Sequence, residues 1–237
     1  MYTIVNLYLY FATKSFKFNT FSCKIENMYI TKTIHDQLFG FAPTKSQKTM
    51  IAVAEAAIKN YVDAGVEETN FESIAQTCQL SRTIINRYFP AKSNLFMFTS
   101  KYIRACYQNF VIERIKDIQS PIVQLETYVR SSLLWVDKMP DHAHTWLLFF
   151  YYCGIRREYR KLNTELVEMG YSRLKQIVAT CNGNAFRDDN LVRQLHLYLS
   201  GAIMAKLTEE KNFNSSLEEN VWEFFKNHAL VDRKIKR

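Results

Sequence analysis

Beyond residue 45, apolar residues recur at helical spacing along most of the chain, and after Pro90 no stretch is framed by turn signals as a strand. Residues 92–118 place Leu95, Phe98, Tyr102, Cys106, Phe110 and Ile115 near one helical stripe. Pro121 sits where a new helix can open, and VQLETYVRSSLLWVDK carries it to Pro140. Asp141 is expected to cap the strongly apolar segment HAHTWLLFFYYCGI. A charged amphipathic helix follows from Arg157 to Thr180 and stops at Asn182-Gly183-Asn184. Residues 188–210 and 217–230 supply the last two helices. The pattern is all-α.

The segment Thr69 to Leu95 predicts two short helices joined by a tight turn. Thr69 and Glu72 have the spacing of a capping box, so the first helix is expected to begin there. Ile74, Cys78, Leu80, Ile85 and Tyr88 are the apolar positions such a hairpin must bury, and Ala75 allows the two backbones to approach. Ser81 is placed to cap the second helix and Pro90 to end it. Its outer side offers Arg82, Thr83, Asn86 and Arg87, which can hydrogen-bond to base edges and phosphates.

Together with the preceding helix, the segment Ile51 to Phe96 resembles the DNA-binding domain of the tetracycline-repressor (TetR) family. The matching residues are Ala56, Ala57, Tyr61, Gly65, Thr69, Ile74-Ala75, Ser81, Tyr88-Phe89, Lys92 and Leu95, without a gap. The resemblance implies a three-helix, helix-turn-helix DNA-binding domain over 45–91 and a helical effector-binding and dimerisation domain over 92–237. It implies a homodimeric, ligand-responsive repressor on a palindromic operator in double-stranded DNA. Arg82, Thr83, Asn86 and Arg87 would read bases, while Thr69, Ser81, Tyr88 and Lys92 would hold phosphates. A DNA-associated regulator of cell division, acting through a protein partner, is the alternative of the same likeness.

Two departures narrow the likeness. Cys78-Gln79 stands where the family usually has Ala-Gly, and a left-handed Gln79 costs of order 1 kcal/mol. Thr83-Ile84-Ile85-Asn86 replaces the frequent Gly-Thr-Leu-Tyr, which removes a hydroxyl and an aromatic backbone contact. The family's contacts therefore do not transfer whole, and the operator sequence is not inferable.

A net charge of +8 and a pI near 9.2 suit a polyanionic partner. The 48% hydrophobic and 23% charged residues describe a globular chain with enough apolar surface for a sizeable core. Five scattered cysteines without a C-x-x-C pair argue against a disulfide framework or zinc site and fit the reducing cytoplasm. No apolar run is long enough to span a bilayer. The N-terminal extension, 1–44, is rich in Tyr, Phe, Asn, Lys, Thr and Ile. We expect either a genuine added arm or, in preference, a start codon assigned too early with Met28 as the true start; residues 28–44 would then be a short arm. Lys45 and Lys48 at its end could touch phosphate.

Within the second domain, Trp135, Trp146, Phe149, Phe150 and Tyr152 are candidate walls of a pocket for a small hydrophobic or aromatic effector. Met139 and Met169 could contribute. Leu195, Tyr198, Gly201, Ala202, Ala205, Trp222 and Phe225 are candidates for the dimer interface, as an intersubunit four-helix bundle. His142 and His144, two apart, could share an ion only in a loop, so no metal is expected, and no cofactor. No nucleophile-base pair or paired carboxylate motif supports an enzyme.

Overall fold

The computed structural model describes residues 34–40, 44–181, 189–210 and 216–229. Among them there is no strand, and the helices are α1 (Ile34–Phe39), α2 (Lys45–Glu68), α3 (Phe71–Cys78), α4 (Arg82–Tyr88), α5 (Lys92–Ile115), α6 (Pro121–Lys138), α7 (Pro140–Ile155), α8 (Arg157–Cys181), α9 (Asp189–Thr208) and α10 (Leu217–Ala229). None is long and apolar enough to cross a membrane. Residues 1–33, where the question of Met28 arises, and Asn182-Gly183-Asn184 lie outside the described residues.

Local chemistry sets these boundaries. Thr44 opens α2 with a reciprocal cap: its Oγ1 accepts from the Gln47 N–H at 3.3 Å, and its own N–H donates to Gln47 Oε1 at 2.7 Å. Gly65, at φ 82 and ψ 167, kinks the end of α2 where only glycine turns without strain. The cap of α3 is Asn70 rather than Thr69: its Oδ1 accepts from the N–H groups of Glu72 and Ser73, both at 3.0 Å. Asn and Thr both make good caps, and the frame slips by one residue because Thr69 is used to close α2. Ser81 caps α4 as expected, accepting from the Ile84 N–H at 3.4 Å. Pro121 and Pro140 occupy the first turns of α6 and α7. Asp141 therefore does not cap α7; Met139 holds that position without a side-chain bond, and Asp141 lies in the first turn.

The expected short arm over 28–44 contains the helix α1, which packs on α5 through Phe39 and Phe98, ring centroids 6.1 Å apart. Two apolar cores run through the molecule. One joins α2, α3 and α4 through Val53, Tyr61, Ile74 and Ile85 and continues into α5, α7 and α8. The other lies among α5 to α10 and takes in Ala54 and Ile58 of α2. The sequence division at 91/92 is thus no gap in packing: Phe96 of α5 is 1% exposed and meets Tyr61 of α2 at 5.3 Å and Tyr152 of α7 at 5.3 Å, each edge to face. Removing such a buried ring costs ~3–5 kcal/mol.

Candidate nucleic-acid interface and buried cavity

Helix α4 buries Ile85 completely and half-buries Ile84 and Tyr88, which turns Arg82, Thr83, Asn86 and Arg87 together into solvent. The turn before it holds Gln79 at φ 55 and ψ 39, so the left-handed geometry is kept without the glycine. The Gln79 N–H donates back to Gln76 at 3.3 Å and the Leu80 N–H to Ala75 at 3.0 Å. Asn60 of α2 donates to Thr77 of α3 at 2.9 Å. This frame fixes α4 against its two neighbours.

Tyr88 sits at the meeting of α4 and the start of α2. Its hydroxyl accepts from Arg87 Nη2 at 2.8 Å, and the guanidinium lies 4.9 Å from its ring. Hydrogen bonding to Ser46, then to Arg87, lowers the hydroxyl's pKa from its ordinary value, with Lys45 adding a smaller effect. Lys45 and Lys48 are exposed beside it. Arg82, Arg87, Lys45 and Lys48 thereby give this end of the molecule a cationic face. Lys92 is also exposed, and its Nζ donates to the Glu67 carbonyl at 2.6 Å. Ser81 is exposed, with its Oγ already serving the cap.

Thr69 is a correction among the phosphate candidates. It is 2% exposed, and its Oγ1 donates to the carbonyls of Gly65 at 2.6 Å and Asn60 at 3.0 Å. It seals the end of α2 and faces no solvent. Ser46 and Asn70, which the sequence reading passed over, hold neighbouring surface positions; the signal for Asn70 was its own strong capping preference.

A cavity of about 70 Å³ lies between α5, α6, α7, α8 and α9. That is room for a handful of waters at ~10–15 Å³ each. Of the candidate pocket residues, Trp135, Trp146 and Phe150 line it. Phe149 and Tyr152 do not. Trp146 and Phe150 share one side of α7, whereas Phe149 and Tyr152 turn to the other. There Phe149 is 0% exposed and packs on Phe96 and Tyr159, and the Tyr152 hydroxyl donates to Glu67 of α2. Met139 packs at the edge of the second core, and Met169 is 49% exposed; neither lines the cavity.

The sequence reading also missed the cavity's charge. Arg104 and His196 line one end, and Gly170 of α8 lets both approach, since a Cβ there would collide with each. Arg104 lies 5.0 Å from the Tyr107 ring. Burial and then the Arg104 charge lower His196 to about 4, so the imidazole is neutral at pH 7. The same two causes depress the nearby Arg173 to about 10. Among the described residues neither Arg104 nor Arg173 is in an ion pair. The indole Nε1 of Trp135 is buried without a hydrogen-bond partner among the described residues.

The dimer candidates divide as well. Leu195, Ala202, Trp222 and Phe225 are 0%, 7%, 6% and 0% exposed within one subunit. They form its own core with Val192, Leu199 and Val221, so they are not free to face a second chain. Tyr198 and Gly201 are exposed, and Ala205 is half-buried. Leu197 is 68% exposed, Phe224 stacks on Tyr198 at 3.9 Å, and His228 stacks on Phe224 at 4.2 Å. These side chains form an apolar band on the outside of α9 and α10.

No family model matches the sequence, and no curated protein matches it. Solved structures do. A protein from Saccharomonospora viridis in complex with choline is 18% identical, with a TM-score of 0.65 over 78% of this chain and 99% of that one. A TetR-like transcriptional regulator from Rhodococcus sp. RHA1 is 14% identical, with a TM-score of 0.56 over 78% of this chain and 98% of that one. AibR in complex with isovaleryl coenzyme A and operator DNA is 15% identical, with a TM-score of 0.56 over 74% and 96%. The chain has the all-helical fold of TetR-type transcriptional regulators, a helix-turn-helix unit joined to a larger helical body.

Proposed function

We propose that the protein is a transcriptional regulator that binds a palindromic operator as a homodimer and releases it when a small ligand enters the cavity. The observation that carries this reading is α4: a short helix, capped and buried on one side, with four adjacent polar side chains exposed on the other. Residues 45–91 are the reading head and 92–237 the effector-binding and dimerising body. Arg82 and Arg87 suit guanine, and Asn86 suits adenine, in the major groove. Ser81, Tyr88 and Lys92, with Lys45 and Lys48, hold phosphates and set the register.

Two copies join through the apolar band of Leu197, Tyr198, Gly201, Ala205 and Phe224, forming a four-helix bundle of α9 and α10 with their counterparts. The two reading heads then meet successive major grooves when ~34–36 Å apart. The reducing cytoplasm suits the free Cys78, Cys106 and Cys153.

The cavity's chemistry narrows the ligand. Aromatic walls favour an apolar body, and Arg104, backed by Arg173, favours an anionic group at one end. A cation such as the choline of the Saccharomonospora neighbour is disfavoured here, while an acyl carboxylate or thioester-linked anion fits the charge. Seating a ligand larger than a few waters spreads α5 and α7, both of which pack on the reading head. It lowers DNA affinity to the extent that it prefers the spread state.

The deciding experiment is selection of genomic fragments by the purified protein, with and without extract of its host. We expect enrichment of an inverted repeat, lost when extract is present. Recovery of random fragments in both arms overturns the regulator reading, and an enriched site untouched by extract removes the effector.

A further inference from the structure

Where the reading head meets the body, three helices bring together side chains that the regulator reading leaves unused. Glu55 comes from α2, Cys106 from α5 and His142 from α7. One carboxylate oxygen, the thiol sulfur and one imidazole nitrogen all lie within 4.8 Å of one another. His142 is 7% exposed and Cys106 4%, whereas the Glu55 side chain is 41% exposed and opens the cluster to solvent. His144, two residues on, faces away into solvent.

Two features set this group apart from an ordinary polar contact between domains. His142 Nε2 is buried and has no hydrogen-bond partner among the described residues, which costs ~1–3 kcal/mol. It stands 3.6 Å from Glu55 Oε1, too long for a hydrogen bond. That separation is close to the ~3.3 Å between two ligands on a tetrahedral ion with bonds of ~2.0–2.1 Å. Tyr102 meanwhile donates its hydroxyl to the same Glu55 oxygen, the kind of outer contact that orients a ligating carboxylate.

The geometry points to a binding site for a borderline divalent cation, Zn²⁺ above all, held by Glu55, Cys106 and His142 with water in the fourth position. Mixed carboxylate, thiolate and imidazole donors suit such an ion better than Mg²⁺ or Ca²⁺, which take oxygen. Cys106 is a buried free cysteine. Binding then forms the metal–sulfur bond and releases the thiol proton to solvent, one proton per ion. Because its ligands stand on α2, α5 and α7, the ion clamps the reading head to the body. The site stands independently of whether the protein regulates transcription.

The test uses the full chain, reduced and stripped of metal, with Co²⁺ as the probe. One equivalent is expected to give a sulfur-to-cobalt charge-transfer band with intense tetrahedral visible absorption, and one equivalent of Zn²⁺ to abolish both. The band disappears in Cys106→Ser and persists in Cys78→Ser. In chelator competition, Glu55→Gln and His142→Gln bind Zn²⁺ at least ~10–100-fold more weakly, a range that even outer-shell changes reach. Circular dichroism accompanies each variant, and the half-exposed Glu55→Gln keeps the test valid should Cys106→Ser unfold. Absence of the band, its persistence in Cys106→Ser, or unchanged Zn²⁺ affinity in Glu55→Gln overturns the site.

Discussion

The ammonium of Lys92, at the start of α5, rests on the backbone carbonyl of Glu67, at the end of α2, 2.6 Å away. A cation at the C-terminal end of a helix is favourable, so Lys92 fastens the reading head to the helix that runs into the cavity wall. Its exposure leaves the other two N–H groups open to the proposed phosphate contact.

Lys92→Gln is therefore expected to weaken binding to every DNA sequence and to reduce the slope of log K against log salt by ~0.9. Arg87→Ala, by contrast, is expected to cost ~1–3 kcal/mol on the selected operator and far less on unrelated DNA. Fluorescence anisotropy across a salt series separates the two. An unchanged slope for Lys92→Gln takes that residue off the phosphate backbone.

Gln79 holds a left-handed turn that its side chain makes strained. Gln79→Gly is predicted to raise stability by about 0.5–1 kcal/mol, and Gln79→Val to lower it by more. Urea unfolding gives both values. A loss of stability with glycine would mean that the Gln79 side chain contributes more than its backbone costs.

His196 gives the body an acid-sensitive element. Its folded pKa of about 4 lies below the ordinary 6.5 because of burial, then the Arg104 charge, with Arg193 adding to it and Glu168 opposing. As pH falls below 6.5 the unfolded chain takes up the proton first, so stability is full above that value and drains away toward pH 4. The urea midpoint is expected to fall over this window in the parent and to fall less in His196→Gln. Parallel curves would remove His196 from the effect.

Leu195 and Leu197 lie two residues apart on α9 and should behave in opposite ways. On the proposed dimer, Leu197→Asp is expected to leave the subunit folded but to give a monomer in sedimentation velocity, since that side chain is 68% exposed. Leu195→Asp is expected to unfold the body, because it buries a charge in a fully enclosed position. A Leu197→Asp dimer as tight as the parent would place the interface elsewhere.

The sequence was most legible where the rule is local. Ser81 and Pro121 mark helix starts by their own chemistry, and the helices from α5 to α10 fall close to the predicted spans. Local rules also explain the errors: at Thr69 the adjacent Asn70 could cap as well, and at Asp141 Pro140 takes the first helical position and moves the start of the helix ahead of Asp141. The faces of α7, α9 and α10 were harder. These helices are apolar on several sides, so the distinction between Phe149 and Phe150, or Leu195 and Tyr198, exists only after neighbouring helices have docked. Arg104 and His196 carry no motif at all, and Glu55, Cys106 and His142 are far apart in the chain.

Trp146 lines the cavity and lies 5.1 Å from Phe149; Phe149 lies 6.2 Å from Phe96, and Phe96 5.3 Å from Tyr61 in the reading head. Close-packed rings of this kind leave no compliant layer to absorb a change of shape. The cavity and the helix-turn-helix unit are thus joined through one continuous chain of rings. On the proposed reading, a substitution at Trp146 that admits a new ligand is felt at Phe96 and Tyr61 as well, so a change of signal and a change of grip on DNA come together.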